Sequence, residues 1–246
     1  MTLVSVNLNK FALLRNSRDN DLPNVKYIAN LAIIGGCKSI TVHPRQDKRH
    51  ITEKDVATIS ALAEVASSQV GLNIEGDIRD DIMRMVLQYN TTQFTVVPVQ
   101  EGEKTTERGF NPEEKRQEIS EAMKLIKSKK SVEFVMFVEP NPASVEYAHS
   151  LGFDAVEIHT KYYARSFCTH RESEEVTRVN EAALLARKLK MRVHLGHDLN
   201  LVNLSMIVEK VQPDEVSIGH SVVVDSILQG FPRTIKRYLA ISNLSK

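Results

Sequence analysis

At 246 residues, 42% of them hydrophobic, the chain has the size and apolar content of one substantial domain, residues 1–246 without linker or low-complexity tract. Its 32 basic and 31 acidic residues leave a formal net charge of +1, so no global field recruits nucleic acid or a membrane surface. No apolar run reaches transmembrane length, and the two cysteines, Cys37 and Cys168, show neither metal-ligand nor disulfide spacing, which points to a reducing cytoplasm.

Taken along the chain, the first expected strand is Leu3–Asn7, with none of the marks of a signal peptide. It exits into Asn7-Leu-Asn9-Lys10 without a glycine, unlike the phosphate turn of an open dinucleotide-binding sheet. Further strands are expected at Ser39–Val42, Gly71–Ile74, Gln93–Val97, Val132–Val138, Ala155–Ile158, Arg192–Leu195 and Glu215–Ile218. Each is short, rich in β-branched residues and nearly continuous in apolar character, as when helices cover one face and a barrel core the other.

Helical periodicity fills the intervals. Gly35-Gly36 and Gly152 stand where helices give way to strands. Thr52-Glu-Lys-Asp55 caps the helix carrying Val56, Ile59, Leu62 and Val65. Pro112 after Asn111 reads as the first position of another helix. The last helical stretch runs from about Val222 to about Ser242, with Gly230 and Pro232 placed to interrupt it. Eight repeats of helix, turn, strand and terminal polar residue predict an α/β fold, a (β/α)8 TIM barrel with additional helices.

In such a barrel every strand points its carboxyl end at one face, so the polar residues ending the strands converge. His43, Arg45 and His50 follow strand two as a proton-transfer group beside cations suited to phosphate. Glu75 ends strand three, where desolvation lifts a carboxylate toward the range of a general base. Glu157 and His159 share one side of strand six by period-two geometry. His194 reads as a core histidine, whereas His197 lies beyond Gly196 at the rim. Gly219 and His220 open a helix after strand eight, the barrel's usual phosphate position. The polar stretch 100–111 reads either as a lid, with threonines as contacts, or as a mobile surface loop without a role. Both cysteines read as structural.

The motifs Asn7-x-Asn-Lys-x-Ala-x-Leu-Arg15-Asn16-x-Arg18 and Thr-Val-His43-x-Arg45-x-Asp47-x-Arg49-His50-Ile-Thr are accompanied by Asn73-Ile-Glu75 and Val-Pro98 with Thr105-Thr106-Glu107. Glu157-Ile-His-Thr160 with Tyr163-Ala164, Gly196-His197 and Ile218-Gly219-His220 complete the set. In this order, over essentially the whole chain, they resemble the bacterial pyridoxine 5'-phosphate synthase family.

The resemblance implies a homo-oligomeric barrel, commonly an octamer. It also implies condensation of two small phosphorylated substrates, 1-deoxy-D-xylulose 5-phosphate and 3-amino-2-oxopropyl phosphate, to pyridoxine 5'-phosphate, phosphate and water, without metal or organic cofactor. By the same resemblance Glu75 is the general base, His43 a proton acceptor, His197 a proton donor and Glu157 a charge stabiliser. Asn7, Arg18, Gly219 and His220 would hold the aminoketone phosphate; Arg45, His50 and Thr105 would hold the ketose phosphate.

Three departures from the family pattern stand out. Asn9-Lys10 replaces Asp-His, Asp198 replaces a glycine whose amide serves phosphate, and Arg108-Gly109 replaces a glycine pair. Asn9, Lys10 and Asp198 therefore join the candidate binding residues, and they favour the alternative of a diverged paralogue acting on another phosphorylated ketone. A metal-dependent barrel hydrolase would use His43, Glu75, Glu157 and His197 as ligands, but strand one lacks that class's His-x-His ending. A non-catalytic scaffold leaves the titratable strand ends unexplained.

Overall fold

The computed structural model describes residues 1–18, 20–99, 102 and 106–243. Eight parallel strands close into a barrel in chain order, β1 (Leu3–Asn7), β2 (Ser39–Val42), β3 (Gly71–Gly76), β4 (Gln93–Val96), β5 (Glu133–Val138), β6 (Ala155–His159), β7 (Arg192–Gly196) and β8 (Glu215–Ile218), with β8 pairing back onto β1. The helices between β1 and β4 are α1 (Asn9–Arg15), α2 (Val25–Ile34), α3 (Glu53–Ser60), α4 (Ala63–Ala66) and α5 (Asp80–Gln88). After β4 come α6 (Arg116–Lys127), α7 (Pro142–Ser150), α8 (Lys161–Ser166), α9 (Glu172–Lys188), α10 (Leu204–Val211), α11 (His220–Gln229) and α12 (Phe231–Ser242).

The expected strands all form, most within a residue or two of their expected ends. Their apolar continuity resolves into alternation. Val4, Val6, Ile40, Val42, Leu72, Ile74 and Phe94 are buried in the hydrophobic core beneath the helices. The opposite positions, pointing into the barrel, carry hydroxyls and amides where barrels more often hold branched apolar side chains. Ser5 Oγ lies 2.6 Å from Thr41 Oγ1, Asn73 Nδ2 donates to Thr41 Oγ1 at 3.3 Å, and Thr95 Oγ1 donates to Asn73 Oδ1 at 3.0 Å. The belt is tolerable because its members satisfy one another; an isolated buried amide would cost about 1–3 kcal/mol. It forms a polar floor under the strand ends.

Local signals act where expected. Thr52 and Asp55 close a capping box on α3, and Gly36 and Gly152 adopt φ of +108° and +79° where strands follow helices. Gly230, at φ +80°, separates α11 from α12, and Pro232 lies in the first turn of α12.

Two expectations fail. The helix capped at Thr52 ends at Ser60, so Leu62 caps the separate α4 and Val65 lies on it. The helix anticipated at Pro112 begins instead at Arg116, because Glu113 and Lys115 take left-handed φ of +69° and +53°. Glu114 is drawn out of a helical first turn: its carboxylate accepts from Arg108 at 2.8 and 3.0 Å and from the Asn111 amide at 3.2 Å. The long interval after β4 returns to the barrel at Phe110, which bridges Val138, while Gly109 N–H donates to Glu139 at 2.8 Å. A Cβ at Gly109 would run into the Val138 and Glu139 backbone.

Candidate active site

At the carboxyl end of the barrel a cavity of about 280 Å³ opens above the polar floor. Asn7, Glu75 and Glu157 reach it as the inward residues near the ends of β1, β3 and β6. His43 and His197 arrive one residue past β2 and β7. Asn9 and Lys10 line it from the start of α1, with His50 and Asp198 from loops and Gly219 with His220 from the start of α11.

The cavity therefore gathers all four proposed acid–base residues and most of the proposed binding set. Arg45 is buried beside Asp47, its Nε 3.8 Å from the carboxylate, and does not line the cavity. Arg18 is exposed on the turn after α1, away from it. Thr105 lies outside the described residues, whereas its neighbour Thr106 lines the cavity.

Burial sets the proton inventory. Glu75, 9% exposed, accepts from Asn7 Nδ2 at 3.3 Å. Desolvation pushes its carboxyl up to about 7, against the opposing hydrogen bonds from Asn7 and Asn9. Glu157 is held well above the carboxylate range, first by burial and then by the charges of Glu75 and Glu215. Burial thus favours the protonated form of Glu157, while Glu75 is poised between its forms near neutrality. Gly196 makes room for this arrangement, since a Cβ there would overlap the Glu157 carboxylate.

His43 Nδ1 lies 3.8 Å from Glu75 Oε2. Burial, then repulsion from His50, Arg45 and Arg79, holds the ring well below the ordinary imidazole value, so it is neutral and can accept a proton. Its Nε2 has no hydrogen-bond partner among the described residues. Asn9 holds this pair together: its Oδ1 accepts the His43 backbone N–H at 2.8 Å, and its side chain also hydrogen-bonds Glu75. An aspartate at position 9 could only accept.

The neighbouring walls are built for anions. Lys10 is lowered by burial and by the neighbouring charges of Arg49 and Arg45, and raised by Asp198. Cations gathered on one wall suit a phosphate group. His50 is pushed down to about 4 by burial, Arg45 and Lys10, so it is neutral until an anion arrives. The first turn of α11 has no acidic residue, and Gly219 supplies no side-chain cap, leaving the amides free to meet an anion. Gly219 is also close to Asn7, where a Cβ would come within 3.2 Å of the Asn7 Cβ.

Sequence patterns gave no role to several supporting residues. Phe137 and Ser217 line the cavity as inward positions of β5 and β8, a parity visible in the strands but chemically quiet. Arg15 and Asn16 anchor the loop bearing His50: Arg15 pairs with Asp55 at 2.5 Å, and Asn16 Nδ2 donates to the His50 carbonyl at 2.8 Å. His197 and Asp198 adopt φ of +88° and +58°, a conformation costing a non-glycine residue about 1–2 kcal/mol. His194 is buried below, pushed down to about 3 by burial and Arg192, and is a core histidine as expected. Among the described residues no group of three or more His, Cys, Asp or Glu is placed to hold a metal ion.

Residues 4–243 match the family model for pyridoxal phosphate biosynthesis protein PdxJ. A pyridoxine 5'-phosphate synthase of Bacteroides thetaiotaomicron is 38% identical over 239 residues, covering 97% of this chain and 98% of that protein. Its counterpart in Parabacteroides distasonis is 36% identical over 244 residues, covering 99% and 100%. Among solved structures, phosphoribosyl anthranilate isomerase from Thermotoga maritima covers 99% of both chains with a TM-score of 0.61. At 15% identity that likeness shows the barrel fold alone.

Proposed function

The chain belongs to the PdxJ family of pyridoxal phosphate biosynthesis proteins, and from that membership we propose that its cavity is a pyridoxine 5'-phosphate synthase site. The reaction condenses 1-deoxy-D-xylulose 5-phosphate with 3-amino-2-oxopropyl phosphate, releasing phosphate and water. The observation that carries it is the union of two protonation-poised carboxylates, a neutral histidine and an anion-binding wall in one cavity.

Ring formation requires protons to leave carbon and nitrogen and to reach departing oxygens. Glu75, titrating near neutrality, is the base, and His43 accepts a second proton at its buried, unpartnered Nε2. Glu157, its protonated form favoured by burial, stabilises developing charge or donates to a departing hydroxyl. His197, across the cavity, is the donor to the other reacting oxygen. Asn7, Gly219, His220 and the amides opening α11 hold the aminoketone phosphate. Lys10, His50 and Asn9 face the ketose, with Arg45 supplying charge from behind His50. Thr105 and Arg18 complete the binding set in the family pattern.

Glu75→Gln tests these roles. Its kcat should fall by about 10²–10⁴-fold while either substrate alone still binds with nearly unchanged affinity. Retained turnover would remove Glu75 as base.

The assembly we propose is a homo-oligomer, an octamer in the family pattern. Exposed Leu14, Leu22, Ile227 and Leu228 support it, because such side chains gain from burial against another copy. Light scattering reads the mass directly. Cytoplasmic residence is supported by two unpaired thiols, Cys37 buried and Cys168 exposed. No helix among the described residues is long and apolar enough to cross a membrane.

A further inference from the structure

The turn after β7 forces two consecutive non-glycine residues, His197 and Asp198, into left-handed backbone. Neighbours lock it there. Thr160 Oγ1 donates to the Gly196 carbonyl at 2.7 Å and to the His197 carbonyl at 2.6 Å. Asn203 Nδ2 donates to the Asp198 carbonyl at 3.2 Å, and Tyr163 Oη donates to the Asn203 carbonyl at 2.5 Å. Every main-chain carbonyl of the turn is thus held from the start of α8 or α10. Strain kept by so many restraints is a mark of a functional position.

The clamp also decides where the Asp198 carboxylate goes. Its Oδ2 lies 3.3 Å from Nδ1 of His197, and the carboxyl is lowered chiefly by that imidazole. Glycine would adopt this backbone without strain, so the turn alone gives no reason for a carboxylate.

We propose that Asp198 is a positioning residue for His197, holding the imidazole with its Nδ1 proton toward the carboxylate and Nε2 toward the substrate. The pair resembles in logic the carboxylate–imidazole unit of hydrolases, in which the acid fixes the tautomer and stabilises the imidazolium. It rests on the proposed role of His197 as proton donor.

The carboxylate is thereby turned from the phosphate toward the histidine. Arg165 and Lys161 of α8 act on it electrostatically, and Asp198 in turn acts on Lys10 of α1, offsetting its repulsion of a substrate dianion. The other groups facing His197 are His159 of β6, with ring centroids 4.7 Å apart, and Glu139 beyond β5, whose Oε1 lies 3.3 Å from His159 Nδ1. Glu157 lies beside the preceding Gly196.

The test uses the full-length assembled protein with ¹⁵N-labelled histidine, the His197 signal being assigned through His197→Gln. Long-range proton–nitrogen spectra then follow tautomer and titration in the parent, Asp198→Asn and Asp198→Gly. The neutral parent should carry the proton on Nδ1, and His197 in both variants should lose about three- to tenfold in proton affinity, a range limited by the carboxylate's partial exposure. In turnover, kcat should fall with KM changed less than about twofold, and the alkaline limb of the kcat profile should move to lower pH.

An Nε2-protonated parent, or a titration indifferent to position 198, would overturn the pairing. So would an Asp198→Gly variant whose only change is a lower KM, since the carboxylate would then merely oppose phosphate. The spectra do not depend on turnover. A parent that shows the pairing but makes no pyridoxine 5'-phosphate supports the dyad and refutes the synthase reaction instead.

Discussion

Asn9 shows how one atom separates two otherwise similar sites. Its amide accepts from the His43 backbone through oxygen and also hydrogen-bonds Glu75. Asn9→Asp keeps the acceptor, loses the donor and adds a negative charge beside Glu75. Since Glu75 must be ionised to act as base, kcat/KM of the parent should rise through an acid limb near pH 7. In Asn9→Asp that limb should move up by about one unit; a pH–rate profile that stays in place would show that Asn9 does not tune the base. The identity of these residues was legible in the sequence because their types end predicted strands. The raised carboxyl of Glu75 was legible too, from its place at the buried end of a strand; the elevation of Glu157 was not, because the charges of Glu75 and Glu215 add to its burial from strands that are not its neighbours in the barrel.

At the scale of elements, α3 and the loop before it are one device. Thr52 donates its backbone N–H and its hydroxyl to Asp55 Oδ2, both at 2.8 Å, while Asp55 also binds Arg15 at 2.5 and 3.0 Å. Thr52→Ala should cost about 1 kcal/mol in denaturant unfolding, the usual loss of a helix cap. Asp55→Ala should cost about 3 kcal/mol, because Arg15 would be left largely buried without its carboxylate. It should also raise the ketose KM by freeing the His50 loop; a loss no greater than that of Thr52→Ala would mean the ion pair contributes little.

Capping, glycine punctuation and strand alternation are local, so the sequence carried the helix at Thr52 and the break at Gly230. The start of α6 escaped it. Pro112-Glu-Glu is an ordinary helix opening until Arg108, four residues upstream, captures Glu114 and the backbone turns left-handed. The polar floor escaped it as well: Ser5, Thr41, Asn73 and Thr95 read singly as weak strand residues, and their meaning lies in hydrogen bonds across four strands.

For the molecule as a whole, buried titrating groups shape stability against pH. His50 and His194 fall to about 4 and about 3, so between pH 6.5 and those values the unfolded chain binds protons the folded chain refuses. Acidification therefore destabilises through that window. Glu75 and Glu215 are each raised from 4.5 to about 7, so the folded chain binds the extra protons between those values and stability falls as pH rises through them. The trends oppose each other between about 4.5 and 6.5; above that window the carboxylates alone act. Glu215→Gln removes one of them at the base of the barrel, away from the cavity. Relative to the parent, it should gain up to about 3 kcal/mol as pH rises from 5 to 8, read from urea midpoints. An equal pH dependence in both proteins would show that Glu215 ionises freely.

All of this serves a site that joins two phosphorylated substrates, and the most direct measurement is product formation. Purified, assembled protein would be given 1-deoxy-D-xylulose 5-phosphate and freshly generated 3-amino-2-oxopropyl phosphate, with Glu75→Gln run beside it. Pyridoxine 5'-phosphate and phosphate should appear together in equal amounts from the parent and be nearly absent from the variant. Folded protein that binds both substrates yet forms no pyridoxine 5'-phosphate would contradict the synthase function.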